Sequence, residues 1–144
     1  MKYDDAGWHA GGDFPDDLPP EAGATHIGMF AAWCMLNGLA GELHLVELDD
    51  DLQRLRQRRI TPGAWLIAAC DSKFVDEDLN DEGNAFAETY YSDAPPNYLS
   101  DLTKAVGDRI PTPYHLPDTW EIYDQLAPMF EFRFNAWKRQ AMQS

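Results

Sequence analysis

Residues Gly23 to Leu39, GATHIGMFAAWCMLNGL, restrict the possible folds more than any other stretch of the chain. Ile27, Phe30, Ala31 and Cys34 recur at i, i+3, i+4, i+7, and Met29, Trp33 and Leu36 repeat that spacing on a second face. A helix apolar on two sides must be enclosed by protein. The run falls short of the roughly 20 apolar residues that a bilayer span needs. It is therefore expected to be the central helix of a soluble core.

The remaining segments read as shorter helices around it. Residues 1–22 have loop composition, with Pro15, Pro19, Pro20 and several glycines, yet they also carry Tyr3, Trp8 and Phe14. Aromatics at this spacing predict an ordered arm lying on the core, since disordered tails are poor in them. Asn37 and Gly38 supply a helix stop. ELHLVEL, residues 42–48, is ambiguous between strand and helix, with helix expected from about Asp49. Thr61 and Pro62 read as a cap and first turn ahead of Trp65, Leu66 and Cys70. Residues 71–80 read as an acidic connection, and Asp81 as the cap of a helix carrying Phe86 and Tyr90. Pro95 and Pro96 break that helix. A further helix runs from Tyr98 to Val106, with Gly107 as its terminator. Asp118 is expected to cap a helix through Trp120 and Leu126, and Pro128 to break or kink the chain before a last helix, residues 129–143. The prediction is an all-α, single-domain compact bundle over residues 1–144, with six or seven helices and at most one marginal strand.

Twenty-five acids against eleven bases give a formal charge of −14, and the charge is uneven. Residues 1–51 hold eleven acids and one base, and residues 76–131 hold thirteen acids and two bases. Such a surface repels phosphate backbones and anionic lipid, which argues against nucleic-acid and membrane partners and for a basic protein partner. MKYDDAGWHAGGDF lacks the apolar segment of a secretory signal. Cytoplasm is the expected compartment, with Cys34 and Cys70 as reduced, packed thiols.

No catalytic motif stands out. His9, His26, His44 and His115 form no HxxxH, HExxH or zinc-spaced Cys/His pattern. On one helix, His26 and Cys34 would lie about 12 Å apart, too far for a dyad. Asp4, Asp5, His9, Asp13 and His26 could meet through the arm, as ligands or bases of a metal-assisted hydrolase. The simpler expectation is a polar arm with no metal and no cofactor. Surplus acid beside aromatic residues instead marks a partner surface. Its expected members are Asp49, Asp50 and Asp51, then Asp76, Glu77, Asp78, Asp81 and Glu82, with Tyr91 as a surface aromatic.

YDDAGWHAGGDFP from Tyr3, THIGMFAAWCMLNGL from Thr25, TPGAWLIAACDSKF from Thr61 and EDLNDEGNAFAETYYSD from Glu77 together resemble a family of small bacterial proteins described as a domain of unknown function. The resemblance covers roughly the first 100 residues. It implies an immunity protein that occludes a cognate toxin or effector acting in the cytoplasm, and it brings no catalytic residues. The expected partner is basic, and the chain itself a monomer or weak homodimer. A small metal-assisted hydrolase and a housekeeping adaptor are the alternatives.

Overall fold

The computed structural model describes residues 1–143; Ser144, the last residue of the expected domain, lies outside them. In chain order the elements are β1 (Lys2–Asp5), α1 (Ala6–Ala10), α2 (Thr25–Leu36), α3 (Asp49–Arg56), α4 (Pro62–Cys70), β2 (Lys73–Val75), α5 (Asp81–Tyr90), α6 (Tyr98–Val106) and α7 (Trp120–Gln143). Short helical turns at Pro20–Ala24, Leu43–Glu47, Asp76–Asp78 and Pro113–His115 link them, the second of them π-helical. The fold is mostly helical, as the periodicity predicts. No helix among the described residues is long and apolar enough to cross a membrane.

Every residue of α2 except Leu36 is buried, as a helix apolar on two faces requires. α4 crosses it in direct contact, because a Cβ at Gly28 would stand 2.5 Å from the Pro62 carbonyl oxygen. On its other side, the Phe30 ring is surrounded by Phe74, Phe86, Tyr90, Tyr91, Tyr98 and Phe130, with centroids 5.5 to 5.9 Å away. One aromatic side chain thus joins β2, α5, α6 and α7 to the central helix.

Four features depart from the sequence reading. The arm and the acidic connection each supply a strand: β1 and β2 pair antiparallel, with Asp4 opposite Phe74 and Asp5 opposite Lys73. Two strands of three and four residues, joined across nearly half of the chain, leave little local pattern. α5 is capped by Asn80, whose side chain accepts from the Gly83 amide, so Asp81 sits in the first turn. Asp118 caps a helix other than its own. It accepts from the Gly63 and Ala64 amides and the Thr61 hydroxyl, closing the start of α4, while Thr119 serves the start of α7. Pro128 lies inside α7, which continues through it and merges the two expected helices.

Candidate functional site

The arm folds a polar cluster against the first turn of α2. Asp5 caps α1 by accepting from the Gly7 amide at 2.8 Å. That single turn swings His9 back over Asp4, and His9 Nε2 stands 2.7 Å from Asp4 Oδ1. The other ring nitrogen, Nδ1, is 2.7 Å from the hydroxyl of Tyr114, which the turn Pro113–His115 presents after Thr112 caps it. Tyr91, just past α5, donates to Asp4 Oδ2 at 2.5 Å, and the Asp5 amide donates to Oδ1 at 2.8 Å. Both oxygens of the buried carboxylate are therefore occupied.

Electrostatics fix the proton positions. Burial alone would raise the Asp4 carboxyl, but the hydrogen bonds from His9 and Tyr91 outweigh it and hold the group below the usual carboxylate range. A carboxylate accepts only, so His9 Nε2 donates to Asp4, which leaves Nδ1 as the nitrogen that can accept from the Tyr114 hydroxyl. The Tyr114 hydroxyl is raised, first by burial and then by Asp4 and Asp13, which keeps it a donor at neutral pH. His26 packs edge-on to His9 with ring centroids 4.8 Å apart. Its Nε2 is 3.9 Å from Asp4 Oδ2, beyond a hydrogen bond, and its Nδ1 is buried without a partner. Burial pushes this imidazole down to about 4, with Asp4 pulling it up and His9 down. Tyr98 anchors the same turn by donating to the His26 carbonyl at 2.6 Å.

These groups line a cleft of about 390 Å³ together with Tyr90, Tyr98 and Asp93. Trp8 and Leu99, 56% and 54% exposed, lie on its rim. Among the described residues, Asp4 and Asp93 are its acids, and no lysine or arginine lines it.

Of the five residues expected to converge through the arm, Asp4, His9 and His26 do so, with ligand-capable atoms within 4.8 Å of one another. Asp5 is spent on the α1 cap and on Lys2, and Asp13 is exposed. The sequence reading missed Tyr114, whose only signal is an aromatic inside the proline loop IPTPYHLP. It also placed Tyr91 on the surface. Tyr91 instead packs against Phe30, Phe74 and Tyr98 with its hydroxyl turned inward to Asp4.

The acidic surface also changes in one member. Asp78 is 2% exposed: its Oδ2 accepts from the Val75 amide and its Oδ1 from His44, so it cannot face a partner. Asp49, Asp50 and Asp51 occupy the first turn of α3, where the helix dipole favours them. Glu77, Asp81 and Glu82 are exposed, and Asp76 is half-buried beside β1. A shallow groove lined by Glu42, Glu47, Glu77 and Asp81 joins the two acidic stretches, and Val46 within it is 70% exposed.

No curated protein and no solved structure matches the chain. A family match covers residues 2–116, a span that contains the whole Asp4, His9, His26, Tyr91 and Tyr114 cluster and ends before α7. The chain therefore belongs to DUF7832, a family described as a domain of unknown function.

Proposed function

We propose that this protein is a small acid–base enzyme, in which Tyr114 faces the substrate, His9 takes and returns its proton, and Asp4 orients the imidazole. The observation that carries this reading is the chain from Tyr114 through His9 to Asp4, two links of 2.7 Å at the wall of the cleft. It has the order of reacting hydroxyl, base and orienting carboxylate that hydroxyl activation requires. When the Tyr114 proton passes to Nδ1, the imidazolium is stabilised by Asp4 on its far side. The substrate class follows from the lining. Two acids and no lysine or arginine disfavour phosphates and carboxylates, while the aromatic lining and the exposed Trp8 and Leu99 suit a small uncharged or cationic molecule with an apolar part. Hydrolysis is the reaction class that needs no further group. Asp4, His9 and His26 also have the residue types of a divalent-metal site. The Tyr114 hydroxyl held on His9 Nδ1 completes a relay and plays no part in a three-residue metal set, so the proton relay is the reading the geometry favours.

An aryl sulfonyl fluoride, which reacts with a phenol as a neighbouring base takes its proton, tests this without a known substrate. Tyr114 should be labelled in the presence of chelator, and His9→Gln or Asp4→Asn should slow labelling by about 100-fold. Equal labelling in those variants would contradict the relay.

The acidic groove favours a second reading, the bacterial immunity protein. Glu42, Glu47, Glu77 and Asp81 would steer a basic toxin or effector, met in the cytoplasm, onto Val46 as an apolar anchor and so cover that partner's active surface. Because Asp78 is buried, the informative variant is Glu77→Gln, Asp81→Asn and Glu82→Gln together. Association with a captured partner should slow and lose salt dependence, and unchanged kinetics would contradict this reading.

A further inference from the structure

We propose a metal site of the zinc class at His44, Cys70 and Asp78, separate from the cleft. Three elements converge there: the turn Leu43–Glu47 supplies His44, the last residue of α4 is Cys70, and the turn Asp76–Asp78 ends on Asp78. His44 Nε2 is 2.8 Å from Asp78 Oδ1, and Cys70 Sγ is 3.8 Å from each of those two atoms. A triangle with these sides has its centre about 2.0 Å from every corner. Zinc takes nitrogen and oxygen at about 2.0–2.1 Å and thiolate sulfur at about 2.3 Å. An ion moved a few tenths of an ångström from that centre toward the imidazole–carboxylate edge, and slightly out of plane, meets all three distances.

The surroundings agree with a ligand role. His44 is 0% exposed and held against Trp65 with centroids 5.3 Å apart, and its Nε2 is the nitrogen that meets both Asp78 and Cys70. The Val75 amide holds Asp78 Oδ2, which leaves Oδ1 as the oxygen shared with His44 and Cys70, as an outer hydrogen bond orients a ligating carboxylate. A thiolate and a carboxylate with a neutral imidazole also balance a divalent charge, so the buried ion leaves no net charge uncompensated. Binding releases the Cys70 proton to solvent and moves the imidazole proton from Nε2 to Nδ1. The sulfur and imidazole donors exclude magnesium and calcium, which take oxygen ligands. A Cys–His–Asp catalytic triad is excluded by connectivity. Cys70 and Asp78 both meet Nε2, whereas a triad uses the two ring nitrogens for its two partners.

The test uses the full chain, reduced and freed of metal, titrated with Co²⁺ and then displaced by Zn²⁺. One equivalent should bind, with a thiolate charge-transfer band in the near ultraviolet. Cys70→Ser should remove that band and weaken Co²⁺ binding by about 100-fold or more, whereas His9→Gln in the cleft should leave both unchanged. Should Cys70→Ser fail to fold, X-ray absorption on the zinc-loaded wild type reads the same point, with one sulfur at about 2.3 Å expected. Failure to bind Co²⁺, a zinc shell of nitrogen and oxygen only, or binding abolished by His9→Gln would overturn the site.

Discussion

His26 is held neutral by its place in the first turn of α2, where burial opposes a proton more strongly than Asp4 favours one. Its folded-state value of about 4 lies below the ordinary value near 6.5. The unfolded chain therefore binds a proton that the folded chain refuses between those two pH values. Stability is full above about pH 6.5 and falls as pH drops toward 4, by about 3 kcal/mol in total. Urea midpoints measured across that window should show the slope, and His26→Gln should remove most of it. A slope unchanged by the substitution would place the proton elsewhere. Tyr114 completes the relay from a residue that periodicity and spacing could not single out, since its role depends on an arm and a proline loop far apart in sequence.

At the level of elements, Asp101 ties three helices together. From α6 it accepts two hydrogen bonds from Arg133 of α7, at 2.8 and 2.9 Å, and one from Tyr90 of α5 at 2.7 Å. Removing the carboxylate strands a buried phenol and a half-buried guanidinium. Asp101→Ala should cost about 2–3 kcal/mol by chemical denaturation, and a loss under about 0.5 kcal/mol would mean the network is not made in solution. The helices themselves were legible: α2 from apolar residues on two faces, α6 from its Tyr98, Leu102 and Val106 stripe, and α3 from acids first and arginines last. What stayed hidden was nonlocal. β1 and β2 meet across nearly half of the chain, Asp118 caps α4 rather than its own helix, and the triangle of His44, Cys70 and Asp78 is made only by the fold. Local propensity could not say that Tyr91 turns inward, because a tyrosine beside acids suits a surface equally well.

For the molecule as a whole, the matched family span and the folding unit differ. The match ends at residue 116, yet α7 contributes Tyr123, Leu126 and Phe130 to the core, and Phe130 packs on Phe30, Trp33 and Tyr98. Burying three such side chains is worth about 5 kcal/mol or more, against a usual total of about 5–15 kcal/mol. A chain cut after residue 119 should lose cooperative unfolding and bind a hydrophobic dye, as followed by circular dichroism and fluorescence. A sharp transition in the truncated chain would show that α7 is dispensable. The same core sets the candidate chemistry, since α2, α5, α6 and the proline loop hold the cleft wall rigid around Asp4. The most direct measurement of that arrangement is the side-chain ¹⁵N spectrum of His9 at neutral pH. A single neutral tautomer with its proton on Nε2, retained in chelator and lost in Asp4→Asn, is the predicted result. A proton on Nδ1, or the averaged signal of a free imidazole, would contradict the relay.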